Sequence, residues 1–351
     1  MIKIFCFILF YFGLGFHSII LAQNSDSLPL NNYRVLASHN SYKKRPDTKV
    51  IRFLTRFKKQ LGAANDPIQL DYGHLPLPKQ FDDYNIRGIE IDVNYDPKGG
   101  LYEKRKLNMF IFGKRQKVKD PRMNLPGFKV LHIADVDYET NYLTFKEVLY
   151  ELINWSDLHP QHTPIFINIE AKGSNPADES KFLKRLGFKK AISFDEKAYQ
   201  LLDEEIFSIL PKDKIFQPES LKMNYSSISN RLENEGWPLL RDCLGKFIFI
   251  LEGDNVQVYN QINMVRPMFV YGQPENVNTA FILKNDPIGN EDEILKLTSK
   301  YIVRTRSDAG TIESRNNDYN RFYAAWKSGA QIISTDYYKP DLRFSNFQIK
   351  F

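Results

Sequence analysis

The sequence has 351 residues, of which 48 are Lys or Arg and 42 are Asp or Glu, and its formal net charge is +6. A chain of this length can bury a large core, and the mild basic excess suits an anionic substrate or surface without demanding nucleic acid. Of the two cysteines, Cys6 lies in the apolar N-terminal stretch, so a fold held together by disulfides is excluded.

The first 22 residues have the composition of a secretory signal. Lys3 precedes a long apolar stretch, and the small residue Ala22 stands before the polar Gln23. We therefore expect residues 1–22 to be removed as a signal peptide and residues 23–351 to form one catalytic domain, periplasmic or secreted. An uncleaved membrane anchor is the alternative, because this stretch is long enough to span a bilayer. In the mature chain we expect no transmembrane segment.

Eight strand-like runs follow along the mature chain. They are Tyr33–Ser38, Gly88–Val93, Lys129–His132, Ile165–Ala171, Lys246–Leu251, Phe281–Lys284, Tyr301–Arg304 and Gln331–Thr335. Amphipathic helices are predicted between several of these runs, at Phe145–Leu158, Ala198–Ile209, Glu291–Ser299 and Tyr319–Lys327. Repeated strand–helix alternation indicates a parallel sheet. Eight such units predict an α/β fold, a closed (β/α)8 TIM barrel with loop insertions.

Charged side chains share one face at the end of two of these strands. Glu90 and Asp92 point the same way because a strand has a period of two, and Glu170 and Lys172 do so in Ile165–Lys172. Active sites of barrels gather at the carboxyl ends of the strands. Several carboxylates that face a barrel interior usually share a cation. Their oxygens favour Ca²⁺ or Mg²⁺ over zinc.

Two of the six histidines close predicted strands at this end of the barrel. An imidazole exchanges protons near neutral pH, so His39 and His132 are candidates for proton transfer. Taken singly, either would more often be a hydrogen-bonded core residue, and the neighbouring carboxylates favour the catalytic interpretation. His159 and His162 precede the Ile165 strand at the opposite end and are expected to be structural or exposed. His74 lies in a predicted loop, and this position favours neither a catalytic nor a structural role.

Several segments together carry a more specific signal. They are Ser38–Tyr42, Gly88–Val93, Val130–Tyr138, Trp155–Pro160 leading into Asn168–Lys172, Arg304–Ala309 and Ser328–Tyr338. In this order they resemble the calcium-dependent phosphoinositide-specific phospholipase C family, in its bacterial, secreted branch. The resemblance covers nearly the whole mature chain.

The resemblance implies a metal site and a reaction. Asn40, Glu90, Asp92 and Glu170 would be ligands of Ca²⁺, with Mg²⁺ less favoured. In the implied reaction the 2-hydroxyl of inositol attacks the adjacent phosphodiester of a phosphatidylinositol-like lipid in a membrane surface. The products would be diacylglycerol and a cyclic inositol phosphate that water then opens. We expect the enzyme to act as a monomer.

The resemblance also implies roles for basic and imidazole side chains. His39 and His132 would be the catalytic pair, with His132 near the phosphate and His39 near the leaving group. A carboxylate, Glu90 or Glu170, is the alternative general base.

Three further cations face inward by their position in the strands. Lys172, Arg304 and Arg306 are expected to hold phosphate charge, and an internal set of ion pairs with Asp308 is the alternative. Asp336, at the end of the eighth predicted strand, would orient a histidine or cap a loop.

The segment Leu101–Pro126 is an insertion rich in basic and aromatic residues. It leaves the barrel after the second strand and is expected to overhang the mouth, where it would contact anionic lipid headgroups. The alternative is a solvated hairpin whose Phe side chains pack on the barrel. Neutralising Lys114, Arg115 and Lys117 is expected to weaken binding to anionic vesicles while sparing a soluble substrate.

Two other functions compete with this interpretation. Glycerophosphodiester phosphodiesterases are barrels with the same Glu-x-Asp and Glu-x-Lys strands, but they typically open with His-Arg-Gly where this chain has His39-Asn40-Ser41. The other competitor is a catalytically inactive barrel that binds inositol-bearing lipids or glycans. Such a barrel would lack a ligand or a catalytic histidine, and all six positions are present here.

Overall fold

The computed structural model describes residues 27–61, 66–113, 116–262 and 264–351. The predicted signal peptide lies outside the described residues, and so do Lys114 and Arg115 of the insertion. Within the described ranges, no helix has the length and apolar character needed to cross a bilayer.

Eight parallel strands form the centre of the fold. They are β1 Val35–Ser38, β2 Gly88–Asp96, β3 Ile165–Ala171, β4 Phe247–Gly253, β5 Met268–Val270, β6 Phe281–Leu283, β7 Ile302–Arg306 and β8 Ile332–Thr335. Strands adjacent in this order are paired, and β8 returns to pair with β1. A single parallel bridge between Tyr271 and Phe281 joins β5 to β6. The predicted TIM barrel is therefore confirmed, with its closure weakest between β5 and β6.

The list of predicted strands needs two corrections. The run predicted at Lys129–His132 is not a barrel strand, because Gly127–Val130 pairs antiparallel with the last residues of β2, beyond the barrel rim. The fifth barrel strand is β5, which was not predicted, since three residues are too few to show a periodic pattern. The predicted number of eight strands was therefore correct only because these two errors cancelled.

Helices surround the barrel. The longer ones are Thr48–Arg56, Leu77–Tyr84, Leu107–Phe112, Phe145–Leu158, Glu196–Ile209, Ile228–Asn234, Val256–Gln261, Glu291–Thr298 and Asn320–Lys327. Shorter α-helices of four or five residues lie at Lys58–Leu61, Pro176–Glu179, Lys181–Arg185, Pro218–Lys222 and Ile312–Asn316. Single turns of 3-10 helix lie at Leu30–Asn32, Pro67–Leu70, Pro121–Asn124, Lys212–Lys214 and Leu240–Cys243.

The four predicted helices are observed, with starts that differ by at most two residues and ends by at most one. The helix Phe145–Leu158 shows why its start was readable. Thr144 and Glu147 form a capping box, in which each side chain accepts a hydrogen bond from the backbone N–H of the other residue. Phe145, Val148 and residues one turn further on are buried against the barrel, so the helix has one apolar face.

Alternate residues of each strand face two different cores. Ile89 and Ile91 of β2 belong to the cluster that packs under the helices. Val35 and Ala37 of β1 belong to a second cluster inside the barrel. Gly88 lets β1 and β2 approach, because a Cβ there would lie 2.5 Å from the Cβ of Ala37. The carboxyl half of the interior is charged instead of apolar, and the candidate site lies there.

Candidate active site

The register of three neighbouring strands brings carboxylates together at the carboxyl end of the barrel. Asp92 of β2 lies beside Glu170 of β3, and Glu170 lies beside Glu252 of β4. In-register residues of parallel strands point into the same space. Carboxylate oxygens of Glu90, Asp92 and Glu170 accordingly lie within 4.8 Å of one another. The three predicted carboxylate ligands thus form one cluster.

Asp92 shows that this cluster fits a cation. Its side chain is fully buried, and its carboxylate is contacted by the Lys172 ammonium and the Tyr42 hydroxyl. Lys172 Nζ lies 3.2 Å from Asp92 Oδ2 and 2.8 Å from Glu170 Oε1. Burial, reinforced by Glu170 and Glu90 and opposed by Lys172, raises the pKa of Asp92 well above its usual value. Clustered carboxylate oxygens are the ligands that Ca²⁺ prefers.

Asn40 reaches the edge of the same cluster from the turn after β1. Its backbone is left-handed, with φ of 50°, a conformation that asparagine tolerates better than most residues. Its amide nitrogen donates to the hydroxyl of Tyr72 at 2.9 Å, and Oδ1 accepts from the hydroxyl of Tyr42 at 3.4 Å. Tyr42 also contacts Asp92. The predicted amide ligand and the carboxylate of Asp92 thus share a contact with Tyr42.

His39 forms a pair with Asp336, which follows β8. Its Nδ1 lies 2.7 Å from Asp336 Oδ1, and its Nε2 lies 3.8 Å from Glu90 Oε1. The Tyr72 hydroxyl lies 3.0 Å from the same Nδ1. Arg306 donates to the other oxygen of Asp336 at 3.0 Å. Asp336 therefore orients a histidine, which is one of the two roles expected for it.

His132 forms a second pair with Asp137. Its Nδ1 lies 2.8 Å from Asp137 Oδ2, and Lys43 Nζ lies 3.2 Å from that same oxygen. The antiparallel segment before His132 runs back along β2, so the imidazole returns to the carboxylate cluster although it closes no barrel strand. Burial lowers the pKa of His132, with Lys172 and Lys43 contributing, against the opposing effect of Asp137.

The three predicted phosphate-binding cations lie at different depths. The side chains of Lys172 and Arg306 are 17% and 15% exposed at the mouth. Arg304 is 4% exposed, forms an ion pair with Glu90 and lies 3.8 Å from Glu252. Arg304 is thus part of an internal ion-pair set, although its carboxylates are not the Asp308 considered from the sequence.

Several residues of the site had no role assigned from the sequence. Glu252 shares one face of β4 with Ile248 and Ile250, so strand periodicity contained a signal for it. Burial raises the pKa of Glu252 to about 7. Lys43 and Tyr72 belong to loops, where no periodic pattern exists, and only the structure brings them to the histidines.

The remaining histidines have structural partners. His159 Nδ1 lies 2.8 Å from the carbonyl of Trp155, and His162 Nε2 lies 3.0 Å from Ser156 Oγ, both away from the mouth as expected. His74 is buried, and its Nε2 lies 2.7 Å from the backbone carbonyl of His39. It therefore supports the turn that carries His39 and Asn40.

Comparison with known proteins identifies the fold and the family. Residues 28–351 match the family model described as phosphoinositide phospholipase C, Ca²⁺-dependent. The structure is similar to the calcium-dependent phosphoinositol-specific phospholipase C from the Gram-negative bacterium Pseudomonas sp, apo form, myo-inositol complex. The TM-score is 0.52 and the identity 14%, over 93% of this chain and 94% of that chain.

A second similar structure is the Ca²⁺-dependent phosphatidylinositol-specific phospholipase C from Streptomyces antibioticus, with a TM-score of 0.51. The identity is 15%, over 89% of this chain and 96% of that chain. No curated protein matches the sequence significantly. At these identities the solved structures show a shared barrel fold. Because the family model spans nearly the whole sequence, this chain belongs to the Ca²⁺-dependent phosphoinositide phospholipase C family, whose members are calcium-dependent phosphodiesterases.

Proposed function

We propose that this enzyme cleaves phosphatidylinositol-like lipids to diacylglycerol and a cyclic inositol phosphate at a single Ca²⁺ site. The observation that carries the proposal is the cluster of the Glu90, Asp92 and Glu170 carboxylates, whose oxygens lie within 4.8 Å of one another at the carboxyl end of the barrel. Bound there, Ca²⁺ would lower the pKa of the inositol 2-hydroxyl and offset the charge of a phosphate oxygen. The proposed ligands are Asn40, Glu90, Asp92 and Glu170.

In this proposal His39 and His132 move the two protons. A carboxylate contacts Nδ1 of each imidazole, so Nδ1 carries the proton and Nε2 is left to exchange a proton with the substrate. The lowered pKa of His132 keeps that imidazole neutral, ready to accept the proton of the attacking hydroxyl near the phosphate. His39, whose ring nitrogens lie 2.7 Å from Asp336 and 3.8 Å from Glu90, is the proposed proton donor to the departing diacylglycerol oxygen.

Lys172 and Arg306 are the proposed phosphate contacts, because both are partly exposed at the mouth beside the histidines and carboxylates. Arg304, predicted as a third contact, lies deeper and is proposed to fix Glu90. A guanidinium that holds a carboxylate ligand stabilises its charged form and its orientation. Burial alone would raise the pKa of Glu90. Arg304 and the neighbouring cations outweigh burial, so the pKa of Glu90 is lowered.

The test is product analysis on a panel of phosphodiesters. The purified protein is incubated with phosphatidylinositol, its phosphorylated forms, phosphatidylcholine and glycerophosphocholine, with Ca²⁺ or with a chelator, and the products are identified by mass spectrometry. We expect diacylglycerol from the inositol lipids with Ca²⁺ only. Asp92→Asn is the inactive control, because it keeps the shape of the side chain and removes the charge that is proposed to bind Ca²⁺. Glycerol phosphate from glycerophosphocholine would favour the competing phosphodiesterase, and binding without turnover would favour an inactive barrel.

We also propose that residues 1–22 direct export and are removed, and that the mature enzyme acts as a monomer in the periplasm or outside the cell. The support is the cation, apolar stretch and small residue of the leader. N-terminal sequencing of the protein from cell fractions tests the cleavage, with a start near Gln23 as the expected result. A full-length chain held in the membrane fraction would favour an uncleaved anchor. Sedimentation of the mature protein measures the oligomeric state.

A further inference from the structure

Three connecting segments pack into one lobe beside the barrel mouth, here called the cationic lobe. Their described residues are 44–59, 98–113 with 116–122, and 176–190, which follow β1, β2 and β3, three adjacent strands of the barrel. Because each segment leaves the carboxyl end of its strand, the lobe stands on the same rim as the carboxylate cluster. One small apolar core joins the three segments and is made of Val50, Leu54, Leu107, Ala177 and Phe188.

The insertion is one part of this lobe. Its two short strands, Lys104–Arg105 and Gln116–Lys117, pair around the helix Leu107–Phe112. That helix lies against the helix Thr48–Arg56, where Lys49 Nζ is 5.6 Å from the centre of the Phe112 ring. The insertion therefore neither hangs free over the mouth nor packs its Phe side chains on the barrel wall.

Charge is distributed very unevenly between the lobe and the other parts of the chain. Apart from Lys114 and Arg115, which lie outside the described residues, the lobe segments carry 19 basic and 5 acidic side chains. Outside these segments the chain carries 27 basic and 37 acidic side chains. The net charge of +6 is therefore the sum of a strongly positive lobe and an acidic remainder of the chain. Such an asymmetry orients a protein in front of an anionic surface.

Many of the lobe cations are free to meet a partner. Within the part of the chain that the structure describes, ten exposed cations of the lobe form no ion pair: Lys44, Lys49, Arg52, Arg56, Lys59, Lys98, Lys119, Lys181, Lys184 and Arg185. Two large aromatic side chains stand among them, since Phe57 is 44% exposed and Phe110 is 41% exposed. Exposed aromatic rings beside unpaired cations suit the interface between water and lipid.

We propose that the cationic lobe docks the enzyme on an anionic phospholipid surface. The unpaired cations would contact lipid phosphates, and Phe57 and Phe110 would enter the headgroup region. Since the lobe and the carboxylate cluster share one rim, docking turns the mouth toward the lipid. A membrane fits better than a nucleic acid, because exposed rings gain from an apolar phase and the acidic remainder repels a long polyanion. The inference deepens the proposed function, but binding itself requires no turnover.

The test is binding to vesicles that contain no inositol lipid, in the presence of a chelator, so that no catalysis takes place. The purified protein is sedimented with phosphatidylcholine vesicles that contain or lack phosphatidylglycerol. Each cation near an anionic surface contributes roughly a fivefold change in binding. The triple variant Arg52→Gln/Arg56→Gln/Lys59→Gln is therefore expected to bind the anionic vesicles about a hundredfold more weakly, with a smaller difference at high salt. The variant Phe57→Ser/Phe110→Ser is expected to lose binding at all salt concentrations.

The matched control is Lys212→Gln/Lys296→Gln/Lys327→Gln, which removes three exposed cations from segments that precede barrel strands, away from the mouth. This control is expected to bind vesicles as the unchanged protein does. Cleavage of a soluble inositol phosphodiester should be equal in all these proteins, which separates docking from the proposed catalysis. The proposal is overturned if both triple variants bind alike, if the protein sediments equally with neutral vesicles, or if it binds duplex DNA and no vesicle.

Discussion

The two histidine–carboxylate pairs of the site are alike in geometry and different in what holds them. His39 and Asp336 are 297 residues apart and follow β1 and β8, which are paired in the barrel. His132 and Asp137 are five residues apart, in a turn outside the barrel. The first pair is therefore positioned by the register of the barrel. The second is positioned by a local turn, so its orientation has to be secured by other contacts.

In each pair the carboxylate also contacts a cation, and the two cations differ in burial. Arg306 supports Asp336 from a partly exposed position at the mouth. Lys43 supports Asp137 from a fully buried position, where its ammonium also donates to the carbonyls of Leu70 and Tyr72 at 2.8 and 3.0 Å. A buried charge that loses its partner is far more costly than an exposed one. The second pair is thus more closely tied to the stability of the fold than the first.

The largest expected effect is loss of either imidazole. If the pairs are equivalent in chemistry, His39→Ala and His132→Ala each lower kcat by about 10³-fold or more, since each removes a proton-transfer group. Ca²⁺ binding, measured by calorimetry, should persist in both variants. His159→Ala, a partly exposed histidine away from the mouth, is the matched control and should keep full turnover. Full turnover in either site variant would remove that histidine from the mechanism.

Removal of the carboxylates should separate the two pairs. Asp336→Asn and Asp137→Asn are both expected to lower kcat by roughly 10²- to 10⁴-fold, because each imidazole loses the acceptor that orients it. Asp137→Asn should also lower the free energy of unfolding by about 3–5 kcal/mol, because it leaves Lys43 buried without a counter-charge. Asp336→Asn should cost less, roughly 1–3 kcal/mol, since Arg306 is 15% exposed and Lys43 is fully buried.

Urea unfolding in the presence of a chelator measures this difference. The control is the double variant Lys43→Met/Asp137→Asn, which removes both charges and should recover most of the lost stability. Equal destabilisation by the two single Asn variants would contradict the distinction between the pairs.

The smallest expected effect concerns pH, and it involves the first pair only. His74 lies behind His39, and burial lowers the pKa of His74 to about 4, although Asp336 favours its charged form. In the unfolded chain the imidazole of His74 has a pKa near 6.5, so above that pH its burial does not lower the free energy of unfolding. As the pH falls from about 6.5 to about 4, the free energy of unfolding decreases by roughly 3 kcal/mol. In His74→Gln this loss should be absent.

The measurement is the free energy of unfolding across that pH range for both proteins, again with a chelator. Other groups titrate in the same window, but they are common to the two proteins and cancel in the difference. Parallel stability curves would show that His74 does not titrate as its burial indicates.

Local pattern explains which parts of the site could be predicted. The period of two along β2 and β3 placed Glu90, Asp92 and Glu170 on the inward face without knowledge of any contact, and the structure brings them together. The same period applied to β4 would have included Glu252. The run that ends at His132 was assigned to the barrel because an antiparallel strand has the same period as a parallel one.

By itself the sequence determined the barrel class, the carboxylate cluster and the two histidines, because strand periodicity and motif order are properties of neighbouring residues. The tertiary structure alone decided that Asp336 meets His39, that Lys43 meets Asp137 and that Arg304 holds Glu90. It also joined three separate segments into the cationic lobe. These contacts depend on strand register and on closure of the barrel. Both are set by the packing of the whole chain, so no local pattern records them.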